Sequence, residues 1–82
     1  MKTYKFSFTK RAKKFINSRD KKERARILTA IYKLPYGTDI LKMQRFDNRY
    51  RLRVGDVRIQ YEIQDDVLVI LILEADNRGD AY

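Results

Sequence analysis

Residues 50–64, YRLRVGDVRIQYEIQ, decide how this chain folds. Apolar and polar side chains alternate through them: Tyr50, Leu52 and Val54 fall on one side, Arg51 and Arg53 on the other. A period of two is the mark of a half-buried β-strand. Gly55-Asp56 breaks the alternation and supplies a two-residue loop, with glycine first as a type II′ hairpin requires. Such a loop fixes the register. Val54 then faces Val57, Arg53 faces Arg58, Leu52 faces Ile59, Arg51 faces Gln60 and Tyr50 faces Tyr61. Arg49 faces Glu62, an expected cross-strand ion pair. Arg53 and Arg58 stand directly opposite each other, with Cβ atoms about 5 Å apart. Guanidinium groups that close repel by roughly 1–3 kcal/mol. A bound polyanion relieves the repulsion, so the arginine face is expected to hold one.

Outward from the hairpin, elements are legible in both directions. Lys2 to Phe8 alternates, with Tyr4, Phe6 and Phe8 facing one way, and predicts a first strand. Thr9 is a natural N-cap for a short helix over Lys10–Asn17, whose inward stripe is Ala12, Phe15 and Ile16. Asp20 followed by Glu23 is a relative of the capping box and opens a second helix through Lys33. Its apolar stripe is Ile27, Leu28, Ile31 and Leu34, while Lys22, Arg26 and Lys33 stay in water. Pro35-Tyr36-Gly37 ends it. Residues 38–49 connect to the hairpin, with a short strand around Lys42–Arg45. Beyond the hairpin Asp65-Asp66 makes a turn. Val67–Leu73 then reads as a strand whose unbroken apolar run predicts burial on both faces and a place inside the sheet.

Together these elements predict one α+β domain over residues 1–82. Two N-terminal helices pack on one face of a small twisted antiparallel sheet of about four strands, leaving the arginine face to line a concave surface. Tyr50 and Tyr61 are expected to serve packing rather than base stacking.

Composition narrows the chemistry. The chain has no cysteine and no histidine. Disulfides, thiol nucleophiles and cysteine or histidine zinc sites are excluded, as are histidine-activated nucleophiles and histidine-paired ribonuclease chemistry. Acid–base work is left to carboxylate, lysine, arginine, tyrosine or the substrate. No signal peptide or membrane-length apolar run is read, so a cytoplasmic location with no membrane partner is expected. The formal net charge is +8, which points to nucleic acid, an acidic protein or a membrane surface as partner. The charge is uneven: residues 1–34 carry 12 Lys/Arg against 2 Asp/Glu, and residues 35–82 carry 7 against 9. The second half has Lys42 as its one lysine, and arginines on a sheet suit fixed, forked phosphate contacts.

The strand–helix–helix–hairpin–strand order, the run YRLRVGDVRIQYEI and the ending NRGDAY resemble the RelE/ParE superfamily of bacterial and archaeal toxins. The most specific part is Y-R-x-R-x-G-D-x-R-x-x-Y-x-I. The resemblance implies a toxin encoded beside a cognate antitoxin that wraps and neutralises it. RelE-type members cut messenger RNA in the ribosomal A site; ParE-type members poison DNA gyrase without such chemistry. In the RNA-cutting branch the positions here matching the family's site are Arg51, Arg53, Arg58, Arg78 and Tyr82. The chain departs from the pattern at Asp76 and Asn77, where many RNA-cutting relatives carry histidine or lysine.

The resemblance therefore implies a ribosome-dependent mRNA endonuclease that works by attack of the ribose 2′-hydroxyl on its neighbouring phosphate. No metal or cofactor is expected, because the nucleophile belongs to the substrate. Arg53, Arg58, Arg78 and Tyr82 are the catalytic candidates, and Arg51, Arg45 and Lys42 are candidates for RNA binding. Expected partners are an acidic antitoxin, the ribosome and mRNA. The alternatives are a gyrase inhibitor of the ParE type and a relative that binds only RNA or antitoxin. The polyanion reading expects no charge within the chain to balance the arginine face. It requires arginines that share one hollow and are not each neutralised by a carboxylate of the same molecule.

Overall fold

The computed structural model describes residues 3–37 and 39–77. Among them five strands and two helices follow in the order β1 (Lys5–Phe8), α1 (Lys10–Ser18), α2 (Lys21–Ile31), β2 (Ile40–Lys42), β3 (Arg49–Val54), β4 (Val57–Gln64) and β5 (Val69–Asp76). The strands form one sheet in the order β1-β5-β4-β3-β2. The expected α+β fold with helices on one sheet face is present. The sheet has five strands rather than about four, and it is mixed: β1 lies parallel to β5, while the other pairs are antiparallel.

This topology accounts for the position of the helices. β1 and β2 occupy opposite edges of the sheet, so the chain between them must cross four strand spacings, roughly 19 Å at the usual separation. The two helices make that crossing over one face. Thr9 caps α1 as expected, its hydroxyl oxygen accepting from the Ala12 N–H at 3.2 Å and donating to the Leu73 carbonyl at 2.7 Å. One side chain thus starts the helix and ties it to β5. The Asp20 carboxylate accepts from the Glu23 N–H at 2.8 Å and starts α2. Helix α2 stops at Ile31, short of the expected Lys33. The Lys33 and Leu34 amides bond three residues back, to Ala30 and Ile31. The chain tightens there ahead of Pro35, which disfavours helical geometry in the residue before it.

The core lies between the layers. Ala12, Ile16, Ile27, Ile31 and Leu34 meet Leu52, Val57, Ile59, Tyr61, Ile70, Ile72 and Ala75, all buried. The hairpin register matches the expected one at every pair from Arg49↔Glu62 to Val54↔Val57. Gly55 has φ +60 while Asp56 has no positive φ, which fits a type II′ turn rather than type I′.

Strand β5 differs from the reading of its sequence. It begins at Val69, because Val67 and Leu68 belong to the preceding turn, with Leu68 at φ +54. It runs on to Asp76 instead of stopping at Leu73. Ile70, Ile72 and Ala75 are buried, whereas Val69, Leu71 and Leu73 are partly exposed. The strand is interior to the sheet, but among the described residues only its helix-side face is fully covered. Pairing with β4 slips between Gln60↔Glu74 and Tyr61↔Ile72, leaving Leu73 as an extra residue, the arrangement of a β-bulge. The short strand in the connection covers Ile40–Lys42 rather than Lys42–Arg45. No helix among the described residues is long and apolar enough to cross a membrane.

Candidate nucleic-acid interface

The sheet face turned away from the helices carries the arginines. Arg51 and Arg53 project from β3 and Arg58 from β4, and all three line one open hollow of about 290 Å³ together with Asp39, Ile40 and Leu41. The hairpin register produces this convergence, since Arg53 lies opposite Arg58 and Arg51 stands two residues along the same face. Leu41 lies opposite Arg51 and is exposed. It gives the hollow an apolar rim.

The expectation that nothing in the chain balances these charges is overturned. Arg53 lies 4.0 Å from the Asp39 carboxylate and Arg58 lies 3.8 Å from that of Asp76. The Asp76 contact exists because β5 runs three residues past Leu73, which sets Asp76 opposite Arg58 in the register. Asp39 is held where it is by its carbonyl, which accepts from the Arg53 N–H at 3.1 Å. Arg58 is thus flanked by Arg53 on one side and Asp76 on the other, and its repulsion with Arg53 is offset inside the molecule.

The two contacts differ in kind. Both side chains of the Arg53–Asp39 pair are more than half exposed, and such pairs contribute about 0–1 kcal/mol. A phosphate held by forked, charge-assisted hydrogen bonds is worth more, about 1.5–3 kcal/mol per bond to a charged group. It would displace Asp39. The Arg58 and Asp76 side chains are 19% and 27% exposed, so water screens them less. Arg58 is the more firmly placed guanidinium of the two.

Lys42 and Arg45 fall outside the hollow. Lys42 lies opposite Tyr50, so its register sets it on the helix-side face, and Arg45 is an exposed residue of the following turn. Arg78 and Tyr82 lie outside the described residues. Arg49 pairs with Glu62 at 3.5 Å as expected and stacks over the Phe46 ring at 4.2 Å. Glu62 also accepts from the Gln64 amide at 2.9 Å. Glu62 is therefore engaged in the fold, as its expected ion pair with Arg49 requires. Tyr50 and Tyr61 stack with ring centroids 5.6 Å apart. Tyr61 is fully buried, and burial pushes its phenol up to about 12. Both serve packing.

Sequence reading missed Asp39 as part of the site, and it named Asp76 only as a departure from the family pattern and not as the partner of Arg58. A signal for Asp76 was present: Glu74-Ala75-Asp76 alternates polar and apolar residues directly after the apolar run. Asp39 carried no comparable signal, because it sits at φ +59 in a connection without periodicity.

No protein-family model and no curated protein matches the chain. Solved structures do. A chain of the archaeal RelE–RelB complex from Pyrococcus horikoshii OT3 is similar with a TM-score of 0.80 and 29% identity, over 94% of this chain and 97% of that one. A chain of the RelB–RelE antitoxin–toxin complex from Methanococcus jannaschii gives 0.72 and 28%, over 93% and 94%. The isolated RelE toxin of E. coli gives 0.75 over 92% of this chain and 84% of that one. At 18% identity this last likeness speaks for the fold alone.

Proposed function

Because this chain belongs to the RelE-like toxin superfamily, we propose that it is the toxin of a type II toxin–antitoxin pair and cuts messenger RNA on the ribosome. The observation that carries this reading is the convergence of Arg51, Arg53 and Arg58 on one open hollow of that fold. A cluster of guanidinium groups on rigid neighbouring strands suits a phosphodiester, whose charge grows as the transition state forms.

In the proposed reaction the 2′-oxygen of a bound ribose attacks the adjacent phosphorus and the bond to the 5′-oxygen of the next nucleotide breaks. The products are a 2′,3′-cyclic phosphate and a 5′-hydroxyl. Arg58 and Arg53 hold the non-bridging oxygens of the scissile phosphate, with Asp39 yielding Arg53 to it. Arg51 contacts a neighbouring phosphate. Arg78 completes the clamp, and Tyr82 stacks on a base. With no histidine in the chain, the proton of the 2′-hydroxyl has only poor acceptors. Cleavage of free RNA is slow, and alignment of the message by the ribosome supplies much of the rate. The partner that restrains the toxin is an acidic antitoxin segment folding over the basic surface.

Translating ribosomes incubated with the purified protein, followed by mapping of mRNA ends, test this directly. New ends within the A-site codon with wild type, and none with Arg58→Ala, are the expected result. Intact message together with trapped gyrase–DNA complexes would assign the chain to the ParE-type activity instead. One observation favours a second reading: the carboxylates beside Arg53 and Arg58 suit a relative that binds RNA or antitoxin without cutting. Intact message and no gyrase effect, with retained RNA affinity, would select it.

A further inference from the structure

Strand β2 is short, and its last pair toward the hairpin turn is Ile40 with Leu52. Arg53, Val54 and Gly55 therefore run on past the end of the edge strand. Past this strand end, where the Arg53 N–H bonds the Asp39 carbonyl, the arginine hollow meets a second cavity, of about 450 Å³, between α2 and the hairpin. Asp39 and Arg53 line both. The second cavity carries two further cations, Arg26 and Lys33, both exposed, and the ring of Tyr36, which is 65% exposed. Asp39 is its one acidic lining residue among those described. Gly55 shapes the cavity as well: a side chain there would reach within 3.3 Å of the Arg26 guanidinium.

Cations in a groove beside an exposed aromatic ring are what a single nucleic-acid strand requires, the cations following its phosphates and the ring stacking on a base. We infer that the groove between α2 and the hairpin is a second subsite for single-stranded RNA. It takes the nucleotides that leave the arginine hollow around the edge of β3. Arg26 and Lys33 meet their phosphates, and Tyr36 stacks on a base. This rests on the hollow being an RNA site, and it adds a length of strand that the hollow alone does not grip.

The test uses single-stranded RNA oligonucleotides whose 2′-hydroxyls are methylated to prevent cleavage, one of three nucleotides and one of nine. Binding is measured across a range of salt for wild type, Arg26→Gln/Lys33→Gln, Tyr36→Ala and Arg58→Ala, with unfolding midpoints confirming that each variant folds. For the longer strand, the double variant should lower the slope of log affinity against log salt by about 1.4, at roughly 0.7 for each phosphate that is no longer neutralised. Tyr36→Ala should weaken it about tenfold. The three-nucleotide strand should bind these variants as it binds wild type.

Unchanged affinity and slope for the longer strand in the groove variants, with Arg58→Ala weakening both strands, overturns the groove and leaves the hollow standing. Equal loss for both strands in the groove variants also overturns it, because the effect is then general attraction and not a separate subsite. Groove variants that keep RNA affinity but lose an acidic protein assign the surface to that protein. If Arg58→Ala binds both strands like wild type, the hollow itself is not an RNA site and both readings fall.

Discussion

Arg58 stands between opposite charges, Arg53 across one strand pair and Asp76 across the other. That position holds its guanidinium in place at the wall of the hollow. In the proposed reaction its loss removes a fixed donor from developing charge on phosphate, and Arg58→Ala is expected to slow mRNA cleavage on the ribosome by about 10²-fold or more. Arg58→Lys should recover little, since a single ammonium cannot reproduce a forked contact. Single-turnover cleavage rates for the two variants check this; a lysine variant near wild type would mean that charge alone suffices. Tyr61 makes a separate prediction about stability. Its hydroxyl is buried with no hydrogen-bond partner among the described residues, so Tyr61→Phe should change stability at neutral pH by less than about 1 kcal/mol. Above pH 10 the variant should gain on wild type. The folded phenol is pushed up to about 12 while its ordinary value is 10.0. The unfolded chain then releases this proton before the folded one does. Wild-type stability should fall between pH 10 and 12 by roughly 2–3 kcal/mol more than that of the variant, as urea unfolding at several pH values would show.

Among the elements, the hairpin was fully legible because alternation and one glycine turn determine every pair within a few residues of sequence. Gly55 should resist change accordingly. Its φ of +60 and the nearness of Arg26 to any added side chain predict that Gly55→Ala costs about 1–2 kcal/mol, measured as a lower urea midpoint with an unchanged slope. Strand β5 was half legible. Its apolar run marked it as interior but did not mark its end, since the pairing with β4 resumes past a bulge at Leu73 and runs on through charged residues. The same run suggested two buried faces, which local sequence cannot distinguish from one buried face and one partly covered by long side chains. The parallel pairing of β1 with β5 joins residues more than 60 positions apart, such as Lys5 and Val69, and no local pattern encodes it. Ile72 and Leu71 offer the matching test. Ile72→Ala on the buried face should cost about 2–5 kcal/mol, and Leu71→Ala on the open face clearly less. Equal losses would mean that a second layer covers the arginine face.

At the scale of the molecule the site divides along the same line. Arg51, Arg53 and Arg58 were legible because the hairpin register sets them together. The carboxylates opposing two of them were not, because Asp39 and Asp76 arrive from other parts of the chain. The net result is a basic protein whose excess charge lies on residues 1–34, largely apart from the hollow. Such a field raises encounter rates with a polyanion or an acidic partner at low salt, and screening removes the gain. In the proposed function the hollow then supplies the specific grip. These two roles separate in a host cell. Expression of the wild type without a partner should arrest bacterial growth with loss of full-length message. Arg58→Ala should restore growth although the protein keeps its net charge to within one unit. Replacing Lys13, Lys14 and Lys21, all exposed on the helices, with glutamine should leave the cleavage positions on ribosome-bound message unchanged. It should lower the association rate with an acidic partner and flatten the salt dependence of that rate, which stopped-flow mixing would measure. Growth arrest that survives Arg58→Ala but disappears with the lysine replacements would place the toxicity in the charge of the helices, and the hollow would have no part in it.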